Sequence, residues 1–196
     1  MLYGIPGESE RDYEEMLELI PSLSHLMPPH SLRKVILTRF SRLYQNAGNH
    51  GICHVRPYEI YEYIYPENCD LKKMSELFEG DYPIAFDDKV LKERFFGVVR
   101  DWQKKWDSWV DRPRLELREE KEGYVVVDSR FGEEIRCGIS GEEFELLDIL
   151  DGGLSGAEGE GLLEDRNYKD VLGSLIDKKL VLGLGRAYLS VITKLG

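Results

Sequence analysis

A glycine-containing turn near the start of the chain is the first segment whose residue types bear on chemistry. It reads Gly4-Ile5-Pro6-Gly7-Glu8 and separates an apolar strand end from a pattern typical of a helix start. Because glycine has no Cβ, the backbone at positions 4 and 7 can come close to a ligand, and Glu8 can cap the helix. The turn is a candidate ligand-binding segment, although the same pattern is also common in strand-to-helix turns.

The cysteines and histidines predict no metal site. Cys53, Cys69 and Cys137 are widely spaced and odd in number, which argues against a disulfide framework and suits a reducing compartment. An iron–sulfur cluster needs several thiolates close together, and the sequence has no such group. His50 and His54 with Cys53 and Cys69 are zinc-ligand types, but their spacing fits no common zinc pattern. We expect these residues to be polar loop residues and an inert thiol.

Composition limits the class of protein and of partner. The chain has 196 residues, 42% hydrophobic and 32% charged, and a net charge of −11, which are ordinary values for a soluble globular protein. No apolar run approaches the ~18 residues of a membrane helix, and the first residues lack the basic region of a signal peptide. We therefore predict a cytoplasmic protein without a membrane partner. Its negative charge repels nucleic acid and favours a basic peptide.

The first part of the chain predicts a β-α-β order. Residues 10–23 follow a capping pattern and repeat apolar residues at helical spacing, with Pro21 expected to kink or shorten the last turn. Residues 34–41 are short and β-branched enough for a buried strand. Since parallel strands lie in sheets covered on both faces, residues 35–37 need neighbours from another chain, from a dimer or from a rearranged local fold. The predicted helix face consists of Tyr13, Met16, Leu17, Ile20 and Leu23.

Aromatic residues dominate the middle of the chain. Tyr58, Tyr61 and Tyr65 lie at i, i+3 and i+7, which favours a short amphipathic helix packed on the core over a substrate-stacking surface. Residues 88–111 predict a long helix. We interpret its apolar stripe as core or as a docking seam and, because it adds to the apolar strand before it, we expect a dimer or a dedicated partner. The stripe consists of Leu91, Phe95, Val98 or Val99, Trp102, Trp106 and Trp109.

The second part of the chain follows a winged-helix plan. Arg112-Pro113 is predicted to end the long helix and to separate a domain of residues 1–112 from one of residues 113–196. The order after it is strands, a helix with a capping box at Ser140, a second helix, and a terminal hairpin. These elements are expected at residues 115–117, 124–127, 134–139, 140–150, 168–178, 180–182 and 188–192.

This plan predicts peptide binding rather than DNA binding. The second helix balances three lysines against two aspartates, and the hairpin turn adds only Arg186, which is too little charge to neutralise DNA phosphates. Peptide binding by strand addition needs only an open sheet edge beside a helix groove. We predict the open edge at residues 124–128. The candidate peptide-binding residues are Tyr124, Val125, Val126, Val127, Tyr168 and Leu172.

Several motifs resemble, in order and spacing, the C-terminal half of cobalamin-type radical S-adenosylmethionine (SAM) enzymes that modify ribosomally synthesised peptides. Residues 113–196 further resemble the PqqD-like module that recognises leader peptides, through the helix opening at Ser140 and residues 147–152. The resemblance covers nearly the whole chain. The remaining motifs are residues 4–13, Arg39-Phe40-Ser41 with Tyr44, His50-Gly51-Ile52, Val55-Arg56-Pro57, residues 61–66, Leu180-Val181-Leu182 and residues 186–190.

The resemblance implies an α+β fold in which a βαβ remnant of the radical SAM barrel and a long helix precede a winged-helix, PqqD-like module. It implies that the glycine turn lies along SAM, with Ile5 and Pro6 on the adenine, and that Arg39 and Ser41 face the substrate or the SAM carboxylate. The complete family enzyme also uses an iron–sulfur cluster and cobalamin. The implied cofactor-binding residues are Gly4, Ile5, Pro6, Gly7, Glu8, Arg39 and Ser41.

The sequence departs from the family in lacking the C-x3-C-x2-C loop, the cobalamin domain and the first four barrel strands. We therefore expect that this chain alone binds no cofactor, and we assign no catalytic residue. Three interpretations remain: a piece of a radical SAM peptide-modifying enzyme, a stand-alone peptide-binding or scaffold protein, and a non-functional remnant. We favour the first for lineage and the second for present activity. The expected partners are a precursor or leader peptide and a complementary radical SAM subunit or a second copy.

Overall fold

A computed structural model describes residues 1–87, 89–110, 112–154, 157–158, 161, 168–185 and 187–194. The chain has the predicted mixed α+β structure. It forms two compact units, the first from Met1–Leu17 and Pro29–Asp101 and the second from Glu18–Pro28 and Trp102–Gly196. Residues 113–196 fall entirely within the second unit. The functional division at Arg112-Pro113 stays a prediction.

The first unit begins with the predicted parallel β-α-β order. Strand β1 (Leu2–Tyr3) pairs in parallel with β2 (Arg33–Lys34), and helix α1 (Glu10–Leu23) connects them. Helix α1 has the predicted bounds and contains Pro21 in its last turn. Tyr13, on the predicted apolar face, is 1% exposed and packs against the ring of Phe86, with ring centres 3.9 Å apart.

The single strand predicted at residues 34–41 is wrong. Strand β2 ends at Lys34, and a separate strand, β3 (Leu37–Thr38), pairs antiparallel with a later strand of the same chain. Leu37 is 1% exposed and packs with Phe78 and Ile52, so a local rearrangement, one of the three predicted alternatives, covers it. The sheet order is β3-β5-β4, with β4 at Cys53–Pro57 and β5 at Leu77–Asp81.

Short helices complete the first unit. The helix predicted around Tyr58, Tyr61 and Tyr65 is found only in part, because it spans Ile60–Ile64 and has no buried residue. The Tyr61 hydroxyl accepts a hydrogen bond from the Glu76 N–H at 3.1 Å. Through this bond, the Tyr61 side chain holds the backbone that precedes β5. The helices are α2 (Arg42–Gln45), α3 (Ile60–Ile64) and α4 (Leu71–Met74), with 3-10 turns at Ala47–His50 and Ala85–Asp87.

The long helix is shorter than predicted. Helix α5 (Lys89–Asp107) contributes residues to both units; positions 88 and 111, the predicted ends, lie outside the described residues. Phe95 and Val99 on the predicted stripe are fully buried, whereas Trp109 is 83% exposed. Its place on the stripe was wrong because the helix ends before it. The Arg112 guanidinium lies 3.9 Å from the centre of the Trp109 ring.

The second unit contains the three predicted antiparallel strands, the capped helix, the second helix and the hairpin. The Ser140 hydroxyl accepts from the Glu143 N–H at 3.1 Å, and the Glu143 carboxylate accepts from the Ser140 N–H at 3.0 Å, which confirms the capping box. The elements are β6 (Leu115–Glu120), β7 (Gly123–Asp128), β8 (Ile135–Ile139), α6 (Gly141–Leu150), α7 (Lys169–Asp177), β9 (Val181–Leu184), β10 (Ala187–Ser190) and β11 (Thr193–Lys194).

Two sheets organise this unit. One has the order β11-β6-β7-β8, with β11 parallel to β6, and the other is the β9–β10 hairpin. Arg186, predicted in the hairpin turn, lies outside the described residues. No helix that the structure describes is both long and apolar enough to cross a membrane. The core between strands and helices includes Leu115, Leu117, Val126, Leu146, Leu147, Leu150, Leu172, Leu175 and Leu180.

Candidate peptide-binding edge

The strand predicted to pair with a peptide lies inside its sheet. Strand β7 pairs with β6 on one side and with β8 on the other, so the predicted open edge at residues 124–128 is wrong. Val126 and Val127 are 2% and 0% exposed, and Tyr124 and Val125 are half-buried. The β-branched run at residues 124–127 predicts that a strand exists, but it does not give the strand's place in the sheet.

The two predicted anchors on α7 also face inward. Tyr168 and Leu172 are each 5% exposed and belong to the core of the second unit. They support α7 from beneath rather than offering a surface. The accessible face of α7 carries polar residues instead, and it lines an open depression of about 690 Å³ formed by Lys169, Asp170, Gly173, Ser174, Asp177 and Lys178.

Strand β8 is an edge of the four-stranded sheet. Among the residues that the structure describes, only β7 pairs with it. Ile135 on this strand is 59% exposed, and Gly138 has open space where a Cβ would stand. The unpaired side of β8 is therefore reachable by another extended backbone.

The hydrogen-bond pattern identifies which backbone groups of β8 face outward. The Ser129 N–H donates to the Arg114 carbonyl at 2.9 Å, one step beyond the pairing of Leu115 with Asp128. Bonded and non-bonded pairs alternate in an antiparallel ladder, so the odd-numbered residues of β7, like Ser129, bond toward β6. The even-numbered residues of β7 therefore bond toward β8. They meet the odd-numbered residues of β8. The N–H and C=O groups of Arg136 and Gly138 therefore point to the free edge.

Helix α7 lies next to the end of this edge because of Glu143. One carboxylate oxygen of Glu143 accepts from the Ser140 N–H, directly after β8. The other oxygen accepts from the Ser174 hydroxyl at 2.9 Å and from the Lys178 ammonium at 2.5 Å. Glu143 thus joins α7 to the point where β8 ends.

The charge of Glu143 is held by its partners. Burial by itself disfavours the charged carboxylate, but hydrogen bonds from Lys178, Ser140 and Ser174 outweigh it, and the pKa of Glu143 lies below its ordinary value. The carboxylate is therefore ionised at neutral pH. On the edge strand itself, the Arg136 guanidinium is hydrogen-bonded to Glu120, so both charges nearest the edge are compensated.

The predicted cofactor turn is held by bonds within the chain. The buried Gly4 has φ +69°; its N–H donates to the Tyr13 hydroxyl at 2.8 Å, and its C=O accepts from the Tyr82 hydroxyl at 2.7 Å. The Ile5 N–H donates to Glu8 at 2.8 Å. These groups do not fit direct bonds to a cofactor as they stand, and only Ile5 and Gly7 of the turn are exposed. Pro6 is half-buried.

Arg39 and Ser41, the other predicted cofactor residues, also bond to the fold. Arg39 Nε donates to the Ser75 carbonyl at 2.7 Å, and its guanidinium lies 5.0 Å from the centre of the Phe78 ring. The Ser41 hydroxyl accepts from the Tyr44 N–H at 3.1 Å and caps α2. Contact of either residue with SAM or substrate stays a prediction.

Cys53 and His54 lie in β4 and not in the predicted loop, and both make polar contacts with Asp81. His54 Nδ1 lies 3.1 Å from an Asp81 carboxylate oxygen, and the Cys53 thiol donates to the Asp81 carbonyl at 3.2 Å. Within the described part of the chain, no group of three or more His, Cys, Asp or Glu side chains is placed to hold a metal ion.

Comparison with known proteins leaves the peptide edge as the main guide to function. The chain matches no family model, no curated protein and no solved structure. The geometry of β8 and α7 and the motif resemblance are therefore the features that bear on function.

Proposed function

We propose that the chain binds an extended peptide along the free edge of β8, beside α7. The observation that carries this proposal is the outward direction of the N–H and C=O groups of Arg136 and Gly138 on a strand with one free side. A peptide backbone there extends the four-stranded sheet by one strand. Main-chain bonds then supply affinity, and contacts with α7 and with the exposed Ile135 supply selectivity.

In this proposal the peptide is the leader of a ribosomally synthesised precursor, and the chain is the C-terminal portion of a radical SAM enzyme, inactive alone. Support comes from the motif order and from the succession of three antiparallel strands, a capped helix, a second helix and a hairpin, which is compatible with a winged-helix, PqqD-like module. A complementary radical SAM subunit would supply the cluster, the cobalamin and most of the SAM site. The proposed setting is the cytoplasm.

A matched pair of variants at Gly138 tests the edge. Short peptides are first selected on the full chain from a random display library, and their affinities are measured by calorimetry. Gly138→Pro removes the outward N–H, which edge strands tolerate, and we expect it to weaken binding by about tenfold, as for the loss of one or two backbone hydrogen bonds. Gly138→Ala keeps the N–H and places its Cβ in open space, so its affinity should stay within about twofold.

Amide hydrogen exchange gives an independent measure of the same contact. Peptide binding should slow exchange at Arg136 and Gly138 more than at Cys137, whose N–H is already bonded to β7. Equal affinities of the proline variant and the wild type would reject strand addition at β8. Failure of the library to yield any binding peptide would reject peptide binding by this chain.

A further inference from the structure

A second candidate site lies in the first unit and shares no residue with the proposed peptide edge. A cavity of about 570 Å³ lies among β2, β3, β5 and the residues that follow them. This volume is within the roughly 300–1,000 Å³ typical of small-molecule sites. Three tyrosines, Tyr3, Tyr58 and Tyr82, contribute to its lining together with aliphatic residues, so its walls suit a flat or apolar ligand.

The walls are fixed by bonds within the unit. The Tyr82 hydroxyl donates to the Gly4 carbonyl at 2.7 Å, and Leu37, which also lines the cavity, is fully buried. The Tyr3 ring packs edge-on against Phe96, with centres 5.2 Å apart. A cavity with such anchored walls is formed before any ligand arrives, which lowers the entropic cost of binding.

Two cationic side chains at the cavity have no carboxylate partner among the residues that the structure describes. Lys34 lines the cavity and its ammonium lies 5.4 Å from the centre of the Tyr82 ring. Neither Lys34 nor the neighbouring Arg33 forms an ion pair with any residue that the structure describes. Glu79 also lines the cavity, but Arg56 Nε donates to it at 2.9 Å, so its charge is compensated. In a chain with a net charge of −11, this leaves a local excess of positive charge.

We propose that this cavity binds a small organic anion with an aromatic or apolar body. The anionic group, a carboxylate, sulfonate or phosphate, lies at the Lys34 ammonium, and the body lies among the tyrosine rings. Charge attraction orients the ligand, and burial of its apolar surface supplies most of the affinity. This site is independent of peptide binding, because all of its residues belong to the first unit and those of the β8 edge to the second.

Two fluorescent probes separate the contributions of charge and of apolar contact. The first is 8-anilinonaphthalene-1-sulfonate, an aromatic anion, and the second is N-phenyl-1-naphthylamine, which has the same rings without the sulfonate. Both are titrated into the full chain, with inorganic sulfate as competitor. We expect one saturable site for the anionic probe, bound about fivefold more tightly than the neutral probe, as for one partly exposed charge contact. Sulfate alone should compete weakly.

Charge-matched variants locate the probe. Lys34→Gln should weaken the anionic probe about fivefold and leave the neutral probe unchanged. Lys121→Gln removes the same charge from the exposed β6–β7 turn of the other unit and should change neither affinity. Tyr58→Ala, which removes a wall, should weaken both probes. Circular dichroism and thermal unfolding midpoints confirm that each variant is folded.

Three outcomes would overturn this site. Equal affinity for the charged and the neutral probe would reduce it to an apolar surface without anion selectivity. Equal effects of Lys34→Gln and Lys121→Gln would assign the preference to the general field of the protein. Unchanged binding of both probes by Tyr58→Ala would place them elsewhere.

Discussion

Tyr13 is the residue that organises the first turn of the chain. Its hydroxyl accepts from the buried Gly4 N–H at 2.8 Å and donates to the Glu8 carboxylate. Burial, and then the bond to Glu8, raise the pKa of Tyr13 above its ordinary value, so the hydroxyl stays protonated. One side chain thus satisfies a buried backbone donor and positions the carboxylate that accepts from the next N–H.

Tyr13→Phe should destabilise the protein by about 1–3 kcal/mol, because it leaves the Gly4 N–H buried without an acceptor. The measurement is the free energy of unfolding in urea. Tyr63→Phe is the matched control, since the Tyr63 hydroxyl donates to Glu59 on an exposed surface and its loss should leave the unfolding midpoint unchanged. Equal effects of the two variants would show that Tyr13 acts through its ring packing alone.

His25 makes the stability of the second unit depend on pH. It is 8% exposed, with Nε2 2.7 Å from the Val191 carbonyl, so the neutral ring donates this bond. Burial lowers the pKa of His25, and the bond to Val191 offsets this only in part. Above pH 6.5, its ordinary value, both folded and unfolded states are neutral. Below pH 6.5 the unfolded state binds a proton more readily than the folded state. The free energy of unfolding therefore decreases as the pH is lowered.

The predicted result is a loss of stability as the pH falls from about 6.5 toward the lowered pKa of His25, measured by urea unfolding. His25→Gln should flatten this part of the pH profile. His50→Gln changes an exposed histidine and should leave the profile of the wild type. A profile that His25→Gln does not change would assign the effect to other groups.

At the scale of elements, a buried ion pair holds the segment Glu18–Pro28 to the end of β7. The Arg130 side chain is 0% exposed; Nε and one terminal nitrogen donate to the Asp128 carboxylate at 3.0 and 2.8 Å, and the other donates to the Ser22 carbonyl at 2.8 Å. Each of the three guanidinium nitrogens therefore donates to a partner within the second unit. Such a pair is costly to break because either partner alone is a buried charge.

Arg130→Leu should lower the free energy of unfolding by about 3–5 kcal/mol, because it leaves the Asp128 carboxylate buried and unpaired. The double variant Asp128→Asn with Arg130→Leu should recover part of that loss, since no buried charge remains. Arg118→Leu is the control: it breaks an ion pair with Glu116 on a partly exposed surface and should have little effect. A double variant less stable than Arg130→Leu would contradict the role assigned to the buried charge.

Local chemistry determined which elements could be predicted. Helix α1 and the capping box at Ser140 follow from residues a few positions apart, and both were predicted correctly. Residue types predict that a strand exists but not which strands pair with it, so the sequence predicts an edge at β7 although β8, the next strand in the chain, covers it. Leu37 shows the same limit: its partner Phe78 is far along the chain, and the apolar run of residues 34–41 carries no sign that it divides between two sheets.

The candidate site was predictable only in its general location. The sequence placed peptide binding in residues 113–196, whereas the groups that define the edge, Arg136 and Gly138, follow from the hydrogen-bond phase of the sheet. Glu143 was predicted as a capping residue, but its bonds to Ser174 and Lys178 depend on how α6 packs against α7. The sequence offers one indication of these contacts: a capping glutamate uses one carboxylate oxygen for the helix start, and its second oxygen can accept hydrogen bonds from another element.

At the scale of the whole molecule, association with a partner stays a prediction. The structure shows that the apolar surface available for it differs from the one that the sequence predicts. Leu37 and Trp102 are 1% and 8% exposed, so their own units cover them. Trp109 and Val110, which follow the end of α5, are 83% and 87% exposed. They form an apolar surface through which the chain can associate. Light scattering should report a dimer that Trp109→Ser dissociates; a wild-type monomer at high concentration would contradict self-association.

The net charge of −11 should affect the association rate of a peptide more than its dissociation rate. Long-range attraction steers an oppositely charged ligand toward the protein, whereas release depends on short-range bonds at the β8 edge. Two selected peptides that share their apolar residues but carry lysines or glutamates at the outward positions make the comparison. Stopped-flow measurements at low and at physiological salt should show faster association of the lysine peptide, with a difference that shrinks as the Debye length falls from about 30 to 8 Å.

The dissociation rates of the two peptides should agree within about threefold and change little with salt, because backbone pairing is common to both. Gly138→Pro should raise both dissociation rates and leave the salt dependence of association unaltered, since it removes a hydrogen-bond donor and no charge. A salt dependence confined to dissociation would instead mean that the lysines pair with carboxylates that contact the bound peptide. Asp170 and Asp177 on the accessible face of α7 would then be the residues to replace, and the overall charge of the protein would have no role in peptide capture.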